Sequence, residues 1–143
     1  MPRLGPTAGW YLRLFGAHVD RAFGHVPYHV GSSLTADTFR DVDVRLILPD
    51  NEMESLFGKP TDADKLRIWN LAWSALGAQM TGLPIDFQFQ KETPANELED
   101  GPRSALHVLS SELSIVMLAE DSIEEHDGSC KSSSATTHNR MRN

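Results

Sequence analysis

Near its start the chain repeats apolar residues at helical spacing. Tyr11, Phe15, Val19, Ala22 and Val26 follow at intervals of four, four, three and four, with Arg13, Asp20 and Arg21 on other faces. The spacing predicts a helix over residues 7–26, with Gly24 and Pro27 marking its end. A short strand over 28–31 should lead into a loop over 32–40. The period then drops to two. Val42, Val44, Leu46 and Leu48 share one face of a strand over 41–48, and Asp41, Asp43 and Arg45 share the other. Pro49, Asp50 and Asn51 read as a turn, followed by a single helical turn over 52–57.

A second helix should begin at Thr61 or Asp62, either of which can cap it, with Asp64 in its first turn. Leu66, Trp69, Trp73, Leu76 and Met80 form its apolar stripe, and Gly82 is a natural C-cap. The two tryptophans read as core. A half-buried strand follows over 83–90, in which Ile85, Phe87 and Phe89 alternate with Asp86, Gln88 and Gln90. Beyond it the pattern weakens. Residues 95–100 are polar, and Gly101-Pro102 breaks any element. Leu106, Leu109, Leu113, Val116 and Met117 fit a helix, although 112–118 also fits a strand. Residues 120–143 are acidic and then rich in Ser and Thr, so a disordered tail is expected after a domain over 1–119. The fold class is therefore α/β (α+β): a small mixed sheet with helices packed on one face.

At 143 residues, 40% hydrophobic and 23% charged, the composition is that of one soluble globular domain. A net charge of −7 argues against non-specific DNA binding. No apolar run approaches the roughly 18 residues that span a membrane, and the start lacks the apolar core of a signal peptide. Cys130 is alone, so no intrachain disulfide can form. These features point to a cytoplasmic setting without a membrane partner. They leave open whether the chain forms a homo-oligomer.

The chemistry concentrates on the polar faces of two strands. If the strands over 41–48 and 83–90 are neighbours, Asp41, Asp43 and Asp86 converge. Three carboxylates facing one point need a cation, and oxygen ligands favour Mg²⁺ or Mn²⁺. Without a metal, crowding should raise the pKa of at least one of them. Arg45 lies on the same face, where it could contact a phosphate or pair with Asp43 in place of a metal. Other candidates carry less. His25 and His29 are four apart, but Gly24 and Pro27 break the helix that would align them as metal ligands. Ser32 and Ser33 have no evident His-Asp partner for nucleophilic catalysis. Lys59, Lys65 and Arg67 read as solvated surface, and Cys130 as inert.

A short strand ending in Gly31-Ser32, then Asp41-Val-Asp43 on a strand, then Asp86 on a later strand resembles the nucleotidyltransferase fold of the DNA polymerase β type. The resemblance covers about residues 7–90. It implies that Gly31 and Ser32 face the triphosphate; the adjoining Ser33 and, outside the family pattern, Arg45 are candidates for further phosphate contacts. Asp41 and Asp43 would be metal ligands, and Asp86 a ligand and base. The implied activity is Mg²⁺-dependent transfer of a nucleoside monophosphate from a nucleoside triphosphate to a protein, an RNA end or a small molecule. The loop differs from the family pattern in having eight residues between Ser32 and Asp41 and no second glycine. The alternative is a catalytically inactive binding protein on the same scaffold, such as the antitoxin-like half of a two-component pair or a phage-encoded interaction protein.

Overall fold

Pro6 opens the first helix, where its fixed φ suits the first turn and its missing N–H costs nothing. This helix, α1 (Pro6–Phe23), ends at Gly24, whose left-handed backbone (φ 74°) returns its N–H to the Asp20 carbonyl at 2.6 Å. The computed structural model describes residues 4–98 and 100–108. Strand β1 (Tyr28–Val30) comes next, then a 3-10 turn (Ser32–Leu34) and β2 (Val42–Leu48). Two helices, α2 (Asp50–Phe57) and α3 (Ala63–Thr81), lead to β3 (Ile85–Lys91). The chain continues through α4 (Glu92–Leu98) to the two-residue β4 (Ser104–Ala105).

The sheet order is β3-β2-β1-β4. β2 runs parallel to β3 and antiparallel to β1, and β4 is antiparallel to β1. The architecture is α+β with a mixed sheet, as the hydrophobic pattern predicts. α1, α2 and α3 cover one face. Val42, Val44, Leu46 and Leu48 are fully buried there, together with Phe87, Phe15, Val19 and Phe57. The aromatic rings pack edge to face: Phe87 on Phe89, Phe23 on Phe89 and Phe57 on Phe89 all have centroids 5.1 Å apart. Such pairs add about 0.5–1.5 kcal/mol each beyond the area they bury. Trp69 and Trp73 are partly buried against this cluster, as expected of core residues.

β3 is an edge strand, and α3 closes its free side. Phe87 N–H donates to Ser74 Oγ at 2.8 Å, and Phe89 N–H donates to Asn70 Oδ1 at 3.0 Å. Two side chains thus occupy donors that would otherwise invite another strand.

Several boundaries and facings differ from expectation. Asp41 precedes β2. α2 has eight residues rather than a single turn, and Met53 and Phe57 are buried from it. The polar stretch after β3 forms α4, held at its start by Asp50 Oδ1, which accepts from Thr93 N–H at 3.2 Å. Most of each predicted stripe packs inward, but single members face out. On α1, Leu12 is buried while Tyr11 is 45% exposed. On α3, the inward slot given to Leu76 belongs to Gly77, and Leu76 is 40% exposed. Glycine is needed there because a Cβ would meet the Phe15 ring at 2.9 Å. Of the helix expected through Leu106, Leu109, Leu113, Val116 and Met117, Leu106 is not helical and directly follows β4; the rest of it, and the tail expected over 120–143, lie outside the described residues.

Gly16 ties β4 to the core. A Cβ on Gly16 would sit 2.5 Å from both Cβ and the carbonyl oxygen of Leu106. Leu106 is buried, and its N–H donates to the Pro27 carbonyl at 2.9 Å. Gly16→Ala should therefore destabilise the protein by about 1–2 kcal/mol, because overpacking outweighs the roughly 1 kcal/mol gained in helix propensity. Urea unfolding measures this. A neutral or stabilising effect would mean that Leu106 does not rest on α1.

Candidate functional site

β2 alternates strictly, so its buried valines and leucines force Asp43 and Arg45 onto the opposite face. The parallel register then sets Asp43 beside Asp86 and Arg45 beside Gln88. On the other side, Val30 lies opposite Asp43 and Tyr28 opposite Arg45. Two acids on adjacent strands thus come together with a cation on the same surface.

The cation lies between them. Arg45 Nη2 donates to Asp43 Oδ1 at 2.9 Å and to Asp86 Oδ2 at 3.2 Å. Its Nη1 donates to the Asp86 carbonyl at 2.8 Å and to the Val44 carbonyl at 3.2 Å. Gln88 Nε2 adds a bond to Asp86 Oδ2 at 3.0 Å. The Arg45 side chain is only 12% exposed, against 26% for Asp43 and 41% for Asp86. A planar guanidinium with four acceptors in place is held on a fixed fork.

Burial pushes the Asp43 carboxyl above its ordinary value. The Arg45 charge opposes this, and the Asp86 charge adds to it. The raised aspartate expected from crowding is therefore present, but desolvation is the larger cause and the neighbouring carboxylate the smaller.

Gly31 follows β1 with φ 78° and packs directly on Asp43, where any Cβ would overlap the carboxylate. This is a position that glycine alone fills without strain. Asp43 and Arg45, with Val30 and Gly31, form one wall of a cavity of about 400 Å³. Leu98 and the residues from Asp100 to Arg103 form the other wall. Arg103 in turn donates to the Ala95 carbonyl at 2.6 Å and to Asn96 Oδ1 at 3.1 Å. This second wall follows from the route of the chain, which must pass from β3 at one edge of the sheet to β4 at the other.

The remaining site candidates lie elsewhere. Asp41 accepts from Arg40 Nε at 2.7 Å in an exposed pair. Ser32 is exposed at the head of the 3-10 turn, and its carbonyl accepts from Thr35 and Ala36. Ser33 is fully buried, and its hydroxyl bonds His29 Nε2 at 2.6 Å. Burial lowers the His29 pKa, which favours a neutral imidazole. His25 pairs with Glu52 at 2.8 Å. The Ser33–His29 contact escaped sequence reasoning, although the spacing of four across a strand and turn was visible. Both groups are enclosed, so the pair braces the loop beside Gly31. Among the described residues no group of three His, Cys, Asp or Glu side chains is placed to hold a metal ion. Two carboxylates whose lone pairs already face a guanidinium do not fit a Mg²⁺ ion as they stand.

A carboxyl with a raised folded pKa binds its proton more tightly in the native state than in the unfolded chain. Its contribution to stability is greatest in acid and falls as pH rises from the ordinary value of 3.8 through the raised one. The unfolding free energy of the wild type, relative to Asp43→Asn, should decline across that interval. Urea titrations at a series of pH values would show it. A difference that grows with pH would mean the Asp43 carboxylate is stabilised rather than strained by its surroundings.

No protein-family model matches the chain, and neither a curated protein nor a solved structure shows significant similarity to it.

Proposed function

We propose that this chain is a non-catalytic binding module on a nucleotidyltransferase-like scaffold, in which Arg45 takes the place a metal would hold. The supporting observation is the bridge itself: one guanidinium nitrogen donates to both Asp43 and Asp86. A Mg²⁺ ion at this point would have to shed water, which it does reluctantly, and displace a cation anchored by two backbone carbonyls as well. The scaffold reading draws on the order helix, strand, loop, strand, helices, strand, and on Gly31 lying against the first acid of the pair.

A second reading is Mg²⁺-dependent nucleotidyl transfer. It is favoured by the register that sets Asp43 beside Asp86 next to the Gly31-Ser32 loop. A triphosphate would have to draw the Arg45 guanidinium onto its own oxygens, since arginine binds phosphate as readily as carboxylate. The freed carboxylates would then be available to the metal that accompanies the nucleotide.

Thermal unfolding separates the two. On the binding-module reading, millimolar Mg²⁺ or Mn²⁺ leaves the wild-type Tm unchanged, with or without nucleoside triphosphates. Arg45→Met should cost about 1–3 kcal/mol, less than a fully buried pair because both acids keep some water. That variant should gain stability from the same metal, which now meets two unneutralised carboxylates. A wild-type Tm that rises with Mg²⁺ alone would reject the bridge as a substitute for metal. A rise only with triphosphate and Mg²⁺ together, with label transferred to an acceptor, would establish the second reading.

A further inference from the structure

The first turns of α1 present one side to a groove. Pro6, Gly9, Trp10 and Arg13 recur at helical spacing, so they share that side. All four line a cavity of about 390 Å³, together with β4, the end of the 3-10 turn and His29 of β1. His29 lies opposite Val44 and so on the helix-covered face of the sheet. The groove is therefore separate from the Asp43–Arg45–Asp86 surface, and its ligand does not depend on the role of that surface.

Three features of the lining select one kind of ligand. The walls are mainly apolar, with Leu12, Leu34 and Leu106 among them. Arg13 supplies a cation. Its guanidinium lies over the Trp10 ring, 5.2 Å from the centroid, and has no carboxylate partner among the described residues. No aspartate or glutamate lines the groove, although the chain carries 20 of them. The third feature is a buried donor. His29 is 5% exposed, and its Nε2 sits 2.6 Å from Ser33 Oγ. The Ser33 hydroxyl is fully buried and has no other acceptor among the described residues, so it donates to Nε2. Burial also keeps the imidazole neutral. The ring proton is then on Nδ1, which makes no hydrogen bond among the described residues. An N–H this enclosed is unfavourable until an acceptor reaches it.

We propose that this groove binds a small organic acid, a single carboxylate on an apolar body. Arg13 and the His29 Nδ1–H hold the carboxylate, and Leu34 and Leu106 pack against the body. Inorganic phosphate would leave the apolar walls uncovered. A neutral apolar molecule would leave both donors unmet. The volume is that of an ordinary small-molecule site, and a few placed polar groups among apolar walls are its usual make-up. Gly9 offers a way to close the groove without disturbing the core. Beyond its own stretch of α1, no atom of the described residues lies within 4 Å of where its Cβ would sit.

Two-dimensional NMR of the isotope-labelled full chain tests the proposal, with naphthoate as probe and naphthamide as its uncharged match. Naphthoate should shift the Trp10 indole N–H and the His29 ring signals and saturate with a Kd between about 10 µM and about 1 mM, ordinary for a molecule of this size. Naphthamide should bind at least about tenfold more weakly, and Arg13→Gln should weaken naphthoate by a similar factor, since both remove the charge-assisted bond. Gly9→Leu should abolish binding with Tm unchanged or raised, because leucine fills the groove and favours the helix more than glycine does. Trp10 and His29 signals that stay fixed up to about 5 mM naphthoate would overturn the proposal. Equal binding of acid and amide, or binding that survives Arg13→Gln or Gly9→Leu undiminished, would overturn it as well.

Discussion

The register of β2 is the constraint on which the rest depends. This strand is paired along both sides, with β1 and β3, and every second side chain from Val42 to Leu48 is fully buried. A shift of one residue would turn Asp43 and Arg45 into the core and four apolar residues into water, which no rearrangement of the helices could offset. The same alternation that forms the core therefore also builds the charged surface. Because β3 is parallel and in step with β2, a second aspartate arrives next to the first. Only a cation at that point makes the pairing tolerable, and the strand supplies it two residues on.

That surface differs from a typical solvated sheet face. Arg45 is nearly enclosed, tied to two side chains and two main-chain carbonyls, while Gly31 presses on Asp43 from the side. Leu98 and the residues from Asp100 to Arg103 wall in the same side chains. Burial disfavours the charge on Asp43 even as Arg45 favours it, so the cluster holds a balance rather than a simple attraction. An ion pair of this kind adds little net stability compared with apolar side chains, but removal of one member leaves the others uncompensated. Its value to the protein lies in fixing which groups face the cavity, and that is the basis for reading it as a binding surface.

Much of this was legible in the sequence because the signals are local. The alternation over 41–48 and 83–90, the Asp62 cap and the Gly82 stop all correspond to elements found in place, with Asp62 Oδ1 accepting from the N–H groups of Asp64 and Lys65. The presence of Asp43, Arg45 and Asp86 on one surface followed from the same period. What escaped depends on distant partners. α4 starts on a carboxylate 43 residues earlier, and β4 exists through its pairing with β1. The facings of Tyr11 and Leu76 failed for a related reason. A period near 3.6 fits two adjacent stripes on a helix, and glycines at 16 and 77, silent in an apolar count, mark the true lines of close contact.

The central claim is that Arg45 binds the two acids together as a unit, and a double-mutant cycle tests it most directly. Unfolding free energies of wild type, Arg45→Met, Asp86→Asn and the double variant give the coupling between the two side chains. The account predicts a favourable coupling of about 1 kcal/mol or more, since each single change strands the charge of the other. Additive effects, within about 0.3–0.5 kcal/mol, would mean that Arg45 and Asp86 act independently and that the bridge does not organise the surface.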